Sequence, residues 1–220
     1  MLSFNVMRYA GRRVWLLMIS GGAILLSACT ILPSAPVSQV YLLPVPPAVS
    51  VPHAQTVNWS LRVSQPATNQ FLNSSRIAVQ PQGQEIAVYK NSRWSDSAPI
   101  LVRNRLIQAF RSDGRIRAVS SDDDSLQADV ELSGDLSAFQ GVYHVGSSEV
   151  LIRFDARLVR ISDRRIIATR QFDIRQPIKG NEMNEVVQAF GLASDQLATQ
   201  VLNWTMQQSP AQGWVMLPTY

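Results

Sequence analysis

Cys29 is the only cysteine in this chain of 220 residues, and it directly follows Leu26, Ser27 and Ala28. A thiol after small residues, behind a basic and then apolar start, is the pattern of a bacterial lipoprotein precursor. In that chemistry the sulfur of Cys29 takes a diacylglycerol, cleavage frees its amine, and the amine usually receives an acyl chain as well. Two or three chains give stable membrane attachment, whereas one chain gives only marginal attachment. The run therefore predicts lipid attachment at Cys29.

The residues before Cys29 fit a cleaved signal peptide. Three arginines come first, no acidic residue is present, and residues 14–26 are apolar or small. That stretch is too short to span a bilayer, which takes about 20 apolar residues. Its length and the small residues after it match a signal peptide that covers residues 1–28. The alternative is an uncleaved apolar helix followed by a buried free cysteine.

The residue after the cysteine bears on the destination of the protein. In Gram-negative bacteria an aspartate at this position favours retention in the inner membrane, and here the position holds Thr30. We therefore expect a lipid-anchored protein of the outer membrane that faces the periplasm. This expectation presumes an envelope with two membranes.

The rest of the chain is poor in residues that carry out catalysis or bind metals. The two histidines, His53 and His144, have no further histidine, cysteine or carboxylate pair at metal-ligand spacing. There is no G-x-S-x-G turn and no glycine-rich phosphate loop. The run Asp122-Asp123-Asp124 lacks the spacing of a calcium loop, so we interpret it as a solvated turn. We expect no enzyme activity, no catalytic or metal-binding residue, and no cofactor beyond the acyl groups on Cys29.

The charge of the chain argues against nucleic-acid binding. Three of its 20 Lys and Arg residues precede Cys29, which leaves 17 against 16 Asp and Glu in the mature chain. A nucleic-acid-binding domain would show a clear basic excess. With Cys29 acylated, the mature chain also lacks a free thiol and a disulfide, so its stability must come from its core.

The chain after Cys29 begins with a tether. Residues 29–56 are rich in proline, which predicts an extended segment. The apolar residues 40–43 interrupt it and predict a first strand at the sheet edge, because the prolines that follow prevent further pairing. Short strands are predicted next at residues 60–63, 76–80 and 85–89.

Two helices are predicted from their caps and periodicity. The first covers residues 98–112, with Pro99 in its first turn and Gly114 as its stop. The second covers residues 182–207 and carries a continuous apolar stripe at helical spacing. For the tail, residues 209–220, a disordered end, a short strand and a partner contact all stay open.

The strongest periodic signal lies in the middle of the chain. Small or apolar residues alternate with polar residues in segments 128–138, 150–158 and 166–174. Such segments, joined by short turns, predict an antiparallel meander with one buried and one solvated face. The solvated face is acidic on the first segment and basic on the second, which predicts cross-strand ion pairs. The expected fold class is α+β: a single domain, residues 57–208, in which this sheet packs against the two helices.

Arg93 and Trp94 form the one local pair that this periodicity does not require. We place them in a loop between the strand that ends near Tyr89 and the first helix. Trp94 can fold back over the sheet and cover its edge. Alternatively the pair anchors a partner, because tryptophan and arginine are enriched at interface hot spots.

The order of these features resembles the ABC-type transport auxiliary lipoproteins, and in particular their PqiC-like members. The resemblance covers about residues 38–208 and rests on an ordered set of individually weak motifs. These motifs are Leu26-Ser27-Ala28-Cys29, Tyr41-Leu42, Leu61-Arg62-Val63, Ile77-Ala78-Val79, Tyr89 followed by Arg93-Trp94, and the helix with Leu106 and Phe110.

The resemblance implies a non-enzymatic part of an intermembrane lipid transport system built on mammalian-cell-entry (MCE) proteins. Such a lipoprotein docks a PqiB-like periplasmic tunnel of MCE domains at the outer membrane and forms a homo-oligomeric ring around its far end. The implied partners are the outer-membrane bilayer, the MCE protein and further copies of this chain, without nucleic acid. The alternative is a periplasmic lipid-carrying or small-ligand-binding lipoprotein, in which the concave side of the meander holds an acyl chain.

Overall fold

The computed structural model describes residues 38–45 and 56–208, which form one mixed sheet with two helices packed against it. Cys29, Thr30, His53 and the tail 209–220 lie outside the described residues. The strands are β1 (Gln39–Tyr41), β2 (Leu61–Val63), β3 (Ala67–Thr68), β4 (Arg76–Gln80), β5 (Ala87–Trp94), β6 (Val119–Ser121), β7 (Val130–His144), β8 (Ser147–Arg160) and β9 (Arg165–Pro177). The helices are α1 (Ala98–Asp113) and α2 (Met183–Gln207). The predicted α+β fold class is confirmed.

The three longest strands form the predicted antiparallel meander. β7 pairs with β8 from end to end, and β8 pairs in turn with β9. The turn between β7 and β8 consists of Val145 and Gly146, and Gly146 has a left-handed φ of 80° that glycine adopts without strain. The inward-facing residues of these strands form a large part of the core.

On the other edge of β7 the strands do not continue the antiparallel meander. β2, β3 and β4 pair with β7 one after another along its length, and all three run parallel to it. β6 lies outside β2, β5 lies outside β4, and β1 pairs with β5 in parallel. The sheet is therefore mixed, and β1 and β9 lie at opposite edges of it.

A β-bulge between Leu136 and Ala138 changes which residues of β7 face the helices. Beyond the bulge, Phe139 takes the inward position and is buried in the core. Ala138 is buried too, but on the outer face, where it lies opposite Arg153 of β8 and belongs to a small second cluster with Val142 and Leu151. The predicted inward position of Ala138 is therefore wrong, because one extra residue reverses a side-chain period of two.

A second irregularity has the same effect at the start of β9. The pairing register shifts between Leu158 and Val159 of β8, and Ile166 lies opposite Val159. Ile166 is 57% exposed, although the alternation predicts that it faces inward. The shift reverses the faces of the residues that precede it along β9.

Both helices begin and end within one residue of their predicted bounds. α1 follows Ser97, has Pro99 in its first turn, and stops at Gly114, whose φ of 77° closes the helix. α2 begins with a reciprocal capping box between Glu182 and Glu185. α2 packs on β8 and β9, α1 packs on β2 and β6, and the helices also contact each other.

Aromatic side chains occupy the core between the sheet and α2. Trp94 of β5 meets Phe190 of α2 edge to face, with ring centroids 5.2 Å apart. Phe139 of β7 lies within 4.9 Å of Phe190 by the same measure. Such contacts add to the stability gained by burying the rings. The inward turn of Phe139 after the bulge completes this cluster.

Candidate functional site

The predicted tether enters the fold through residues 38–45, which we call the anchor segment. Within it, β1 pairs with the end of β5. Tyr41 lies opposite Trp94 and packs against the core. Val40 lies opposite Arg93, and both are exposed. The lipid attachment predicted at Cys29 would thus lead directly into an edge strand of the sheet.

The end of the anchor segment is held by both helices. Leu43 is buried in the core. The guanidinium of Arg105 on α1 donates a hydrogen bond to the carbonyl oxygen of Pro44. On α2, Gly191 leaves room for the Pro44 ring, since a Cβ at Gly191 would lie 3.0 Å from Pro44 Cβ. Pro44 is therefore fixed between α1 and α2.

Arg105 also forms an ion pair with Asp195 of α2. The side chain of Arg105 is 5% exposed and that of Asp195 is 30% exposed. Burial lowers the pKa of Arg105 and raises the pKa of Asp195, and the attraction between the two groups offsets these shifts only in part. Desolvation therefore cancels much of the gain from pairing, and the pair's clear structural role is to hold the anchor segment.

A second buried arginine, Arg103, joins α1 to the aspartate run before β7. Its Nη1 lies 2.8 Å from Asp122 Oδ1 and 2.7 Å from Asp123 Oδ2. Burial tends to raise the pKa of Asp122, but hydrogen bonds from the Gln65 N–H and from Arg103 outweigh it and lower that pKa. The run is thus tied to α1 and not merely a solvated turn. Within residues 38–45 and 56–208, no cluster of three or more His, Cys, Asp or Glu side chains could hold a metal ion.

Arg93 and Trp94 lie in a strand, so the predicted loop position is wrong. β5 continues past Tyr89 to Trp94. It passes through an irregularity at Asn91, whose φ of 54° is left-handed. Trp94 is completely buried, so its indole is not accessible to a partner protein, and its Nε1 has no hydrogen-bond partner among the described residues. Arg93 remains exposed. The predicted strand at residues 85–89 was too short because the irregularity at Asn91 interrupts the periodicity.

The outer face of the meander carries ion pairs, as its charges predict, but with partly different partners. The pairs include Asp135–Arg157, which joins β7 to β8, and Glu131–Arg62, which reaches β2. Arg153–Asp173 and Glu149–Arg175 join β8 to β9. His144 is the last residue of β7, not part of a loop, and its Nε2 lies 3.5 Å from Glu149 Oε1. Solvent-accessible pairs of this kind contribute about 1 kcal/mol or less each.

The clefts that the described residues form are poorly suited to an acyl chain. The inner face of the meander is covered by α2. Two open clefts of about 490 and 370 Å³ are lined mainly by polar residues. The more apolar groove, beside the end of β9, measures only about 230 Å³ and is lined by Pro177, Ala189 and Leu192, among others. Sites for small molecules usually enclose about 300–1,000 Å³. Neither α1 nor α2, the helices of the described part, combines the length and apolarity that crossing a membrane requires.

Comparison with known proteins shows a bacterial relative. An uncharacterised protein of Bradyrhizobium diazoefficiens is 28% identical over 155 residues, which make up 70% of this chain and 41% of that protein. This chain therefore spans less than half the length of that relative.

Solved structures share the fold. A Xanthomonas campestris protein of the DUF330 family is 27% identical and has a TM-score of 0.71, covering 78% of this chain and 97% of that one. An uncharacterised protein that is 18% identical has a TM-score of 0.60, covering 77% of this chain and 99% of its own. Residues 41–202 match the family described as the ABC-type transport auxiliary lipoprotein component. Because this match spans most of the sequence, the chain belongs to that family, whose members are lipoproteins auxiliary to ABC-type transport.

Proposed function

We propose that this protein is a non-enzymatic outer-membrane lipoprotein of an MCE-type intermembrane lipid transport system and that it docks the periplasmic tunnel at the outer membrane. In this proposal Cys29 carries the lipid, Thr30 allows export to the outer membrane, and the domain faces the periplasm. Membership of the transport auxiliary family and the PqiC-like order of motifs support it. The structural observation that carries it is the fixation of Pro44 between α1 and α2.

That fixation matters because a docking protein must hold its partner at a defined distance from the membrane. Eight residues separate Cys29 from Ser38, the first described residue. Fully extended, they keep Ser38 within about 30 Å of the lipidated residue. The described domain then begins with the anchor segment, which is paired through β1, buried at Leu43 and hydrogen-bonded at Pro44. The tether therefore ends in a segment that is held firmly by the domain, as docking at a defined distance from the membrane requires.

A ring around the tunnel would need two different surfaces that meet head to tail. β1 and β9 lie at opposite edges of the sheet, and no other described strand pairs with the outer edge of β9. We propose that neighbouring copies meet through the backbone groups of these lateral edges, which leaves the side chains on the outer face of the sheet uncovered. The proposal requires self-association of the full-length protein.

The lipid-carrying alternative has weaker support. The face of the meander that would hold an acyl chain packs against α2, and the groove beside Leu192 is small. Native mass spectrometry of the protein purified from membranes separates the two functions. A stoichiometric lipid, beyond the acyl groups on Cys29, would favour a carrier, and a ring without such a lipid would favour docking.

Crosslinking in cells tests the docking function directly. Photoreactive residues placed at exposed positions of the full-length protein should crosslink to an MCE protein and to further copies of this chain. A Cys29→Ala variant should keep its fold, measured by circular dichroism, but leave the membrane fraction and lose transport. The proposal fails if the protein stays monomeric without any MCE crosslink. It also fails if the unlipidated variant supports full transport at native abundance.

A further inference from the structure

The anchor segment exposes large apolar side chains where it joins the sheet. Val40 is 51% exposed and Leu42 is 73% exposed, although the residues between and after them, Tyr41 and Leu43, turn toward the core. The alternation shows that Val40 and Leu42 share the side of the strand that faces away from the helices. Two exposed aliphatic residues at this spacing form an apolar strip and not a single scattered side chain.

Arginines flank this strip in register. Val40 lies opposite Arg93 on β5, and Arg93 lies opposite Arg76 on β4. Because residues opposite each other in paired strands project from the same face, the three side chains form one row across the sheet. We call Val40, Leu42, Arg76 and Arg93 the β1 patch.

The two arginines of the β1 patch are not neutralised by carboxylates. Neither takes part in any of the ion pairs among residues 38–45 and 56–208. The guanidinium of Arg76 lies over the ring of Phe71, 5.2 Å from its centroid, a contact that attracts the cation but supplies no negative charge. Asp96, the nearest acidic residue in sequence to Arg93, is exposed and forms no ion pair with it in the described structure.

Aliphatic side chains beside uncompensated cations are suited to the surface of an anionic bilayer. The aliphatic groups enter the boundary between headgroups and acyl chains, and the cations meet the phosphates. From the geometry we infer that the β1 patch rests on an anionic phospholipid surface and sets the orientation of the domain. The inference builds on the proposed lipidation of Cys29, which lies only eleven residues before Val40.

The lone cysteine makes the orientation measurable. In the full-length protein the thiol of Cys29 is consumed by the lipid, so a cysteine introduced at Leu42 is the only one that a fluorophore can label. The acylated protein is inserted into vesicles of phosphatidylethanolamine that contain phosphatidylglycerol and brominated lipids, which quench a fluorophore in contact with them. Ile166→Cys is the matched control, because Ile166 is a similarly exposed aliphatic residue on β9, at the opposite edge of the sheet.

We expect strong quenching of the label at Leu42→Cys and little at Ile166→Cys. Removing phosphatidylglycerol should weaken the quenching at Leu42→Cys. Arg93→Gln should lower the contact equilibrium about fivefold, the effect of one surface cation, whereas Arg165→Gln on β9 should leave it unchanged. Exposed positions are chosen throughout, so circular dichroism should show an unchanged fold.

The results that would contradict the inferred orientation can be told apart from those that would contradict the lipidation of Cys29. If the protein floats with the vesicles but the label at Leu42→Cys is quenched no more than the label at Ile166→Cys, the β1 patch does not set the orientation, and the anchoring at Cys29 still stands. If the label at Leu42→Cys is already shielded in detergent without vesicles, the patch contacts protein and the inference is wrong. If the protein does not float at all, the lipidation of Cys29 fails and the orientation inferred from it falls as well.

Discussion

Arg105 and Pro44 lie 61 positions apart and are joined by a hydrogen bond from the guanidinium to the proline carbonyl oxygen. The contact holds the end of the anchor segment, through which the lipid tether enters the domain, against α1. The same guanidinium pairs with Asp195, so a single side chain connects the anchor segment, α1 and α2.

Replacing this arginine should loosen the anchor segment. We expect Arg105→Ala to lower the free energy of unfolding by about 2 to 4 kcal/mol, since breaking a buried ion pair costs more than its formation gains, and Asp195 retains some access to water. Urea denaturation measures this loss. Amide hydrogen exchange at residues 39–43 should accelerate beyond the global effect.

The control for that variant is Arg111→Ala. Arg111 is an exposed residue of the same helix and donates one hydrogen bond, to the carbonyl oxygen of Val119. Its loss should change stability by about 0.5 kcal/mol or less. Unchanged exchange at residues 39–43 in Arg105→Ala would show that Pro44 is held by other contacts.

Asp195 and Asp122 should give stability profiles of opposite slope with pH. Burial raises the folded-state pKa of Asp195 above the ordinary value of 3.8, so the folded protein retains this proton after the unfolded chain has lost it. The contribution of Asp195 is therefore complete below pH 3.8 and is lost as the pH rises through its folded pKa. We expect the stability of the wild type relative to Asp195→Asn to fall from pH 4 toward neutrality.

For Asp122 the sign reverses. Hydrogen bonds from Gln65 and Arg103 lower its folded pKa below 3.8 in spite of burial, so its contribution is present above that value and is lost as the pH falls through the folded pKa. The advantage of the wild type over Asp122→Asn should disappear in acid. Thermal melts of all three proteins from pH 2.5 to 7 test both signs, and parallel profiles would contradict the account.

Gly134 should tolerate no side chain. A Cβ there would lie 2.5 Å from the carbonyl oxygen of Asp155 and 2.5 Å from the Phe154 ring. We expect Gly134→Ala to cost about 1 to 3 kcal/mol by overpacking, because a backbone oxygen in the middle of a sheet cannot move aside. Gly141→Ala on the same strand is the control.

At Gly141 the nearest atom is the hydroxyl oxygen of Tyr89, 2.7 Å from a Cβ. That atom is the end of a side chain that can shift, so we expect Gly141→Ala to be less destabilising than Gly134→Ala. Equal losses in urea denaturation would mean that Tyr89 is held as rigidly as the backbone.

Substitutions of Trp94 and Arg93 should affect stability very differently, because Trp94 lies in the core and Arg93 on the surface. Trp94→Ala removes a buried indole packed on Phe139 and Phe190 and should cost about 3 to 5 kcal/mol. Arg93→Ala should leave the melting temperature unchanged, because Arg93 is exposed on the same strand. A stable Trp94→Ala domain would show that the aromatic cluster can repack without it.

Thr30 should decide which membrane receives the protein. We expect Thr30→Asp to accumulate in the inner membrane, whereas Thr30→Ser should reach the outer membrane like the wild type. Density-gradient separation of the two membranes measures the distribution. An unchanged distribution for Thr30→Asp would remove the support that Thr30 gives to outer-membrane delivery.

The long, regular elements could be predicted from the sequence because their signals are local. The stop at Gly114, the capped start of α2 and the alternation in β8 each depend on residues that are neighbours along the chain. The parallel pairing of β2, β3 and β4 with β7 carries no such signal. These strands are two to five residues long, and their partners lie more than 60 positions away.

The errors in the sequence-based assignment arise where the strand period is interrupted. One additional residue between Leu136 and Ala138 exchanges the faces of β7, and the irregularity at Asn91 concealed the extension of β5 to Trp94. The contact of Arg105 with Pro44 was not predicted, since an arginine on a helix gives no indication of a partner across the fold. An arginine at an otherwise apolar helix position was the only available signal.

The parallel pairing of β1 with β5 has a mechanical consequence. A lipid held in the bilayer and a domain held by its partner place the connecting chain under tension, which enters the domain at Ser38. A pull along β1 strains its backbone hydrogen bonds together, in shear, and not one after another. Resistance to such a pull depends on the rate of unfolding more than on equilibrium stability. Arg105 lies beyond β1 on this line of force, so tension that breaks the strand must still detach Pro44 from the helices.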